Sequence, residues 1–259
     1  MSTTAPILLE AQGVAKHYGK FVALGGVDLK VRANTVHSVI GPNGAGKTTF
    51  FNVITGLYTP DGGTFELGGK PYKPQAVHEV AKAGIARTFQ NIRLFAEMTA
   101  LENVMVGRHI RTHSGLMGAI FRTAGFKAEE AAIAKRAQEL LDYVGIGKYA
   151  QFKSRTLSYG DQRRLEIARA LATDPKLIAL DEPAAGMNAT EKVQLRELID
   201  RIRKDNRTIL LIEHDVKLVM GLCDRVTVLD YGKQIAEGTP ADVQKNEKVI
   251  EAYLGTGEH

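Results

Sequence analysis

Hydrophobic and polar residues follow two different periodicities along this chain of 259 residues. Near the start, Ile7–Ala11 is predicted as a short strand, and Val27–Val31 alternates apolar and polar side chains as a half-buried strand does. Turn-forming clusters at Asp61–Thr64 and Gly68–Pro71 bracket a further hairpin strand. A strand of another kind, Val36–Ile40, runs directly into a glycine-rich turn. The first part of the chain is therefore predicted to be mostly β structure.

The second half of the chain alternates between strand and helix patterns. The predicted strands are Leu177–Leu180, Thr208–Ile212 and Val226–Leu229, and the predicted helices are Ala189–Lys204 and Val216–Cys223. This alternation requires crossover connections, which make the strands parallel and place helices on the faces of the sheet. Between about residues 101 and 172 the pattern is helical, with apolar residues three and four positions apart over Glu129–Val144. The sequence thus predicts an α/β core interrupted by a mostly helical insertion.

The composition is that of a globular protein, with 44% hydrophobic and 24% charged residues, and it excludes a disordered or fibrous chain. The net charge of +5 suits nucleic acid no better than an anionic membrane surface or a phosphorylated ligand. The single cysteine, Cys223, cannot form an internal disulfide and favours a reducing compartment. No segment approaches the ~18–20 apolar residues of a membrane-spanning helix, and no secretory signal is recognised. We therefore expect a cytosolic protein that reaches a membrane only through a partner.

Residues 41–48 fit the phosphate-binding pattern G-x-x-x-x-G-K-[ST]. The glycines let successive backbone N–H groups turn toward phosphate oxygens, Lys47 adds a positive charge, and Thr48 offers a hydroxyl to Mg²⁺. A chance glycine-rich turn would match too, but this one follows an apolar strand and opens a helix whose positive dipole end faces the same anion. The predicted nucleotide-binding residues are Gly41, Asn43, Gly44, Ala45, Gly46, Lys47, Thr48 and Thr49.

A carboxylate at the end of a neighbouring strand would complete such a site. Asp181 follows four apolar residues that are typical of a strand buried on both faces. It would hold Mg²⁺ through water, and Glu182 would polarise the attacking water. An acidic turn after a core strand would explain both residues if they stood alone, but the phosphate loop favours the catalytic interpretation.

The segment Leu157–Arg164 resembles the signature sequence of ATP-binding-cassette ATPases, and further motifs of that family follow in order over almost the whole chain. By this resemblance Tyr18 stacks on adenine, Gln90 contacts Mg²⁺ and water, and the switch histidine His214 contacts the γ-phosphate. Each of these residues alone would have an ordinary structural explanation. Gln90, Glu182 and His214 are thus the expected catalytic residues, and the expected metal site comprises Thr48, Gln90 and Asp181.

The resemblance implies a P-loop NTPase core with a mainly parallel sheet, an N-terminal antiparallel β subdomain and an inserted helical subdomain. Residues 1–259 would form a single nucleotide-binding domain. Its α/β core would comprise residues 1–90 and 165–259 approximately, and its helical segment, with the signature, would comprise residues 91–164.

The signature would act as a second phosphate-binding element. Ser158 and Gly160 stand at the predicted start of a helix, where a hydroxyl, a backbone N–H and the helix dipole suit a γ-phosphate. In the family this phosphate belongs to the nucleotide of a second, head-to-tail cassette. The resemblance therefore implies ATP and Mg²⁺ as cofactors. It implies as partners a homodimer or heterodimer with a second ATPase, permease subunits and, indirectly, an external substrate-binding protein, but no nucleic acid.

Three positions depart from the family pattern. Tyr159 stands where the signature commonly has glycine, and Asp161 stands where it commonly has glutamine. The loop after the acidic pair commonly ends in aspartate and here ends in Asn188. Because Ser158 and Gly160 remain, the anion site is retained, but we expect altered communication between the two sites.

Several segments resemble a narrower group, the ATPase subunits of bacterial importers for branched-chain amino acids. They are Arg87–Phe95, Met98–Val104, the signature with Tyr159, and Glu182–Asn188. The implied function is ATP hydrolysis at the cytoplasmic side of the inner membrane to power import through a permease. Importers of urea or short-chain amides and the lipopolysaccharide exporter are alternatives. A soluble ATPase acting on ribosomes or DNA is disfavoured by the single cassette and the absence of sustained heptads.

Two surface features leave alternatives open. The linker after Gln90 is unusually apolar, so Leu94 and Phe95 would either be buried in the helical insertion or form a groove for a short permease helix. The stretch between residues 103 and 128 carries Arg108 and other basic residues but no acidic one. It would either be solvated or lie beside anionic headgroups or an acidic permease loop.

Overall fold

Two β-sheets, one antiparallel and one mainly parallel, form the framework of the protein. The computed structural model describes residues 5–108 and 124–254, with side chains for all of these except residues 124–127. The strands are β1 (Ile7–Tyr18), β2 (Phe21–Arg32), β3 (Val36–Ile40), β4 (Gly62–Leu67), β5 (Lys70–Pro71), β6 (Ile85–Arg87), β7 (Leu177–Asp181), β8 (Thr208–Ile212), β9 (Arg225–Asp230) and β10 (Lys233–Gly238). The predicted α/β class, with an antiparallel β unit and a mainly parallel sheet, is confirmed.

The helices follow the pattern of the sequence closely in the second half of the chain. Within the described ranges they are α1 (Lys47–Ile54), α2 (Val77–Ala83), α3 (Ala100–Arg108), α4 (Ala124–Tyr143), α5 (Tyr159–Leu171), α6 (Ala189–Lys204), α7 (Val216–Leu222), α8 (Pro240–Gln244) and α9 (Glu247–Leu254). The bounds of α6 are those predicted, because a capping box between Asn188 and Glu191 begins it. None of the described helices is long and apolar enough to cross a membrane.

The antiparallel sheet has the strand order β2-β1-β4-β5. Strand β1 continues well beyond the predicted end at Ala11, because a bulge interrupts the alternation without ending the pairing. The register with β2 shifts between Ala11 and Val14, where Gly13 adopts a φ of 60°. A bulge of this kind adds a residue on one strand and moves the following side chains to the other face.

The mainly parallel sheet has the order β10-β9-β3-β8-β7-β6, and only β10 pairs in the antiparallel sense. Every residue of β3, β7 and β8 is buried. Because side chains alternate across a strand, each of these strands serves two cores. Val39 and Leu210 pack with the antiparallel sheet and α1, whereas Ile40 and Leu211 pack in a core that includes α5, α6 and α7.

The helices α3, α4 and α5 contact one another and form the helical part of the chain between β6 and β7. The proposed division at residues 90 and 165 stays a prediction, and its second boundary falls inside α5. Arg108 is not simply solvated, since it donates hydrogen bonds to the Asp174 carboxylate and to the Ala172 carbonyl. Most of the remaining basic stretch, including Arg111 and Arg122, lies outside the described residues.

A buried histidine in β3 makes stability depend on pH. His37 is fully buried beside the Thr227 hydroxyl, 2.8 Å from Nε2, and burial lowers its pKa to about 4. The unfolded chain takes up this proton near the ordinary histidine pKa of about 6.5. The free energy of unfolding should therefore decrease as the pH falls from about 6.5 to 4, by up to about 3 kcal/mol from this group.

Urea unfolding of the wild type and of His37→Gln between pH 7.5 and 4.5 tests this expectation. The His37→Gln protein should lose less stability over this interval than the wild type, whatever its stability at pH 7.5. His78→Gln, which alters an exposed histidine of α2, is the matched control and should follow the wild type. Equal slopes for the wild type and His37→Gln would contradict the assignment.

Candidate functional site

Parallel pairing places four segments at one edge of the sheet. Strands β3, β8, β7 and β6 are consecutive neighbours, so their carboxyl ends meet at the same edge. The phosphate loop, residues 41–48, follows β3, and His214 follows β8. Asp181 and Glu182 end β7, and Gln90 follows β6. Residues that are far apart in sequence thus come together as the sequence predicts.

Glycine is required at two positions of the phosphate loop. A Cβ atom on Gly41 would lie 2.1 Å from the Leu229 carbonyl oxygen, and one on Gly46 would lie 2.8 Å from the Ala23 carbonyl oxygen. Gly46 has a φ of 96° and precedes α1, whose first turn contains neither a side-chain cap nor an acidic residue. The backbone N–H groups at the start of α1 are therefore left for an anion, with the helix dipole favouring negative charge.

Lys47 is held inside the loop. Its side chain is only 6% exposed, and Nζ donates to the carbonyl oxygens of Gly41 and Pro42, at 2.7 Å in each case. Burial lowers the pKa of Lys47, and the negative charge of Glu182 opposes that effect. Lys47 is therefore largely shielded from water, and it lines the same cleft as Glu182.

A cleft of about 330 Å³ opens in front of the loop. It is lined by residues 43–49 together with the three expected catalytic residues Gln90, Glu182 and His214, and on the side of β2 by Phe21 and Ala23. These catalytic candidates lie far from the loop in sequence, and the fold brings them to it.

Glu182 is fixed between two other side chains of the cleft. Gln90 Nε2 donates to Oε2 at 2.8 Å, and His214 Nε2 lies 2.7 Å from Oε1. An ionised carboxylate only accepts hydrogen bonds, so this contact requires the His214 tautomer with hydrogen on Nε2. Glu182 also adopts a φ of 47°, a strained conformation for a residue other than glycine. The arrangement aims a carboxylate at the space before the phosphate loop.

Asp181 lies behind Glu182 and forms a buried ion pair that the sequence analysis did not foresee. Arg87, at the end of β6, donates from one terminal nitrogen to Asp181 Oδ2 and from the other to Thr55 Oγ1, both at 2.7 Å. Burial raises the pKa of Asp181, and Arg87 opposes this shift. The sequence signal was the position of Arg87 three residues before Gln90, but only the pairing of β6 with β7 identifies its partner.

The predicted adenine platform is not among the residues that line the cleft. Tyr18 packs edge-on against Tyr58, with ring centroids 6.2 Å apart, and the residue is 47% exposed. Phe21, which follows Tyr18 across the turn between β1 and β2, lines the cleft and is 65% exposed. Stacking on Tyr18 stays a prediction, and Phe21 is a second aromatic candidate that sequence reasoning missed.

The signature residues lie at the start of α5 and do not line the cleft of their own chain. Ser158 is the N-cap: its hydroxyl accepts from the Asp161 N–H and donates to Asp161 Oδ2 at 2.8 Å. Gly160 is buried against Glu191, whose Oε1 would lie 2.6 Å from an added Cβ. The two residues of the predicted second phosphate element therefore lie at one helix start, apart from the cleft of the same chain, and their binding of phosphate stays a prediction.

Comparison with known protein families shows which family the chain belongs to. Residues 24–185 match the family model described as ABC transporter. The chain belongs to the ATP-binding-cassette (ABC) transporter family. A second model, described as branched-chain amino acid ATP-binding cassette transporter, matches residues 233–259 of this cassette. The cassette is accordingly an ATP hydrolase coupled to transport.

Relatives match the cassette along almost its full length. It is 45% identical to the high-affinity branched-chain amino acid transport ATP-binding protein BraF of Pseudomonas aeruginosa, over 96% of this chain and 98% of the relative. It is 44% identical to the corresponding protein LivG of Escherichia coli with the same coverage. A crystal structure of an ABC transporter cassette in its ADP conformation is similar, with 32% identity, a TM-score of 0.84 and coverage of 97% and 100%.

Titration with ATP can distinguish the roles of Tyr18 and Phe21 in binding the adenine base. Because stacking on a base contributes about 1–3 kcal/mol, we expect Tyr18→Ala to raise the KM for ATP at least about fivefold. Tyr18→Phe is the matched control and should be silent, since the ring face remains. Phe21→Ala should raise the KM as well if Phe21 shares the base. A silent Tyr18→Ala beside a defective Phe21→Ala would assign the platform to Phe21 alone.

Proposed function

We propose that this cassette hydrolyses Mg²⁺-ATP to power the import of branched-chain amino acids through a membrane permease. The observation that carries the proposal is its likeness, over 96% of the chain, to two proteins named for high-affinity branched-chain amino acid transport. The match of residues 233–259 to a branched-chain family model supports the same substrate class. The cassette would act as a peripheral subunit at the cytoplasmic side of the bacterial inner membrane.

The residues present fit a magnesium ion. Thr48 and Gln90 line the cleft and each carries a side-chain oxygen, and Asp181, whose Oδ2 is held by Arg87, carries a carboxylate. Such oxygen donors suit Mg²⁺, which typically takes few protein ligands beside phosphate and water. In the described part of the chain no group of three or more His, Cys, Asp or Glu side chains is placed to hold a metal. The bound ion would supply positive charge to the phosphate oxygens.

The proposed mechanism assigns a separate task to each side chain of the cleft. Lys47 and the backbone N–H groups at the start of α1 bind the phosphates and stabilise the negative charge that develops on them. Glu182 orients a water molecule and accepts its proton. His214 and Gln90 hold the Glu182 carboxylate in place through the two hydrogen bonds described above.

A second cassette would complete each site. Ser158 and Gly160 lie at a helix start that would suit an anion but is outside the cleft of the same chain, so we infer a head-to-tail dimer in which they contact the partner's nucleotide. Similar solved structures include a dimeric ABC cassette bound to ADP and Pi, with 26% identity and a TM-score of 0.76. In this arrangement the Ser158 hydroxyl would leave Asp161 Oδ2 and donate to phosphate instead.

An exposed apolar groove is the proposed contact for the permease. It has a volume of about 260 Å³, and it is lined in part by Leu57, Val77, Phe95 and Val106, each of which is exposed. Phe95 is 48% exposed, which contradicts the alternative that its ring is buried in the helical insertion, whereas Leu94 packs partly against the core. A short amphipathic permease helix fits such a groove.

The role of Glu182 is tested by Glu182→Gln in the purified cassette. We expect ATP hydrolysis to fall at least about 100-fold, the usual scale of a positioned base, while Mg²⁺-ATP still binds. The variant should accumulate as an ATP-bound dimer on size-exclusion chromatography. Lys47→Ala should instead lose both hydrolysis and tight nucleotide binding. A monomeric and active Glu182→Gln would show that another group activates the water.

The permease contact is tested by Phe95→Ala, assayed alone and in the assembled transporter. Because the ring is half exposed, we expect the basal ATPase rate to stay near wild type and the melting temperature to change by no more than a few degrees. Permease association and leucine uptake should collapse. Val193→Ala removes an exposed apolar side chain from α6 and serves as the control. Normal uptake with Phe95→Ala would exclude this groove as the contact.

A further inference from the structure

A buried pair of opposite charges on α5 holds the start of the linker that carries Gln90. Arg163 and Glu166 are 2% and 1% exposed, and their charged groups lie 3.2 Å apart. Arg163 donates to the carbonyl oxygen of Phe89 at 2.5 Å and to that of Gln90. Glu166 accepts the Phe89 N–H at 3.2 Å. Thus the backbone of Phe89 and Gln90, at the start of the linker, is held by hydrogen bonds to α5.

Burying the Arg163–Glu166 pair costs free energy of desolvation. Removing two charges from water requires compensation by hydrogen bonds, and an apolar pair would often be at least as stable. Even here Arg163 Nε has no hydrogen-bond partner, although the other Arg163 nitrogens are engaged. The guanidinium is therefore positioned by the linker carbonyls it contacts. Its arrangement favours a fixed geometry at Gln90, whose side chain in turn contacts Glu182.

Tyr159 connects the same pair to the signature. Its hydroxyl accepts a hydrogen bond from Arg163 at 3.0 Å, and its ring lies under the guanidinium at 5.4 Å. The Tyr159 ring also packs on Gly186, where an added Cβ would lie 3.2 Å from the ring. Tyr159 directly follows Ser158, so the tyrosine that replaces the family's glycine lies between the signature serine and Arg163.

We infer that Tyr159, Arg163 and Glu166 are positioning residues that transmit the state of the signature to the catalytic carboxylate of the same chain. When phosphate from the partner's nucleotide engages Ser158, the first turn of α5 is fixed with it. Tyr159 and Arg163 then fix the carbonyl of Gln90, and the Gln90 amide holds Glu182 at 2.8 Å. This inference rests on the proposed function, because it uses the dimer that brings a second nucleotide to Ser158.

This chain of contacts, from Ser158 through Tyr159 and Arg163 to Gln90 and Glu182, is called the relay. It predicts an effect on the turnover rate rather than on nucleotide binding. None of the three positioning residues lines the nucleotide cleft, so loss of a link should lower kcat and leave the KM for ATP nearly unchanged. Tyr159→Phe removes the hydroxyl but keeps the ring, and it should lower kcat about five- to tenfold, the scale of one hydrogen bond of ordinary strength. Tyr143→Phe is the matched control, since it removes a hydroxyl bonded to Asp205 at 2.6 Å; its kcat should stay near wild type.

A double-mutant cycle with Arg163→Lys tests whether the effect passes through Arg163. Lysine keeps the positive charge but cannot reach two carbonyls and the tyrosine hydroxyl together, so kcat should fall at least about tenfold. In that background Tyr159→Phe should have no further effect, because the two residues act in series. Melting temperatures of the purified proteins, compared with that of Tyr143→Phe, separate the relay from general destabilisation.

The outcomes distinguish the relay from the proposed function. A wild-type kcat for Tyr159→Phe, or additive effects of the two substitutions on kcat, would overturn the relay even if the wild type hydrolyses ATP and Glu182→Gln does not. A rise in KM with unchanged kcat would overturn it as well. An active Glu182→Gln would instead overturn the proposed mechanism. If Arg163→Lys does not fold, Tyr159→Phe alone decides, since it changes one atom of a partly exposed side chain.

Discussion

Parallel pairing of four neighbouring strands is the constraint on which the site depends. The strands β3, β8 and β7 are buried on both faces, and their backbone hydrogen bonds can be satisfied only in the sheet. Their register sets Asp181 opposite Ile212, two residues before His214. With β6 alongside, the sheet delivers the phosphate loop, the acidic pair, the histidine and the glutamine to one edge. The residues of the site are thus brought together by the packing of the core strands rather than by the local structure of the loops.

Two buried ion pairs fix the segment that joins this edge to the helical part. Arg87 pairs with Asp181, and Arg163 pairs with Glu166. The guanidinium groups of Arg87 and Arg93 lie 5.1 Å and 4.3 Å from the centre of the Phe89 ring. Because removing one partner of a buried pair leaves an uncompensated charge, each pair strongly resists displacement. The linker therefore connects the carboxylates to α5 through firm contacts, while Phe95 further along remains at the surface.

The same contacts relate the nucleotide cleft to the parts of the cassette that would meet partners. Gln90 contacts Glu182 by its side chain and Arg163 by its carbonyl, and α5 begins at the signature. The apolar groove around Phe95 also includes Arg169 of α5. One helix thus contacts the linker and lines the apolar groove proposed for the permease, and its first turn would face a second cassette. A movement of α5 would therefore shift the linker, the apolar groove and the surface that would face a second cassette.

The sequence alone determined those structural features that depend on residues close together along the chain. The glycines and Lys47 of the phosphate loop, the five-residue strands and the capped helix α6 follow from local sterics, periodicity and capping. The early end assigned to β1 was wrong because a bulge at Gly13 interrupts the alternation but not the pairing. The partners of buried charges that lie far away in the sequence were decided only by tertiary structure. Arg87 meets Asp181 across 94 positions, and Arg163 meets Phe89 across 74. No local pattern encodes such distances: a charge in a core is stable only where the packed fold supplies its counter-charge and hydrogen-bond partners.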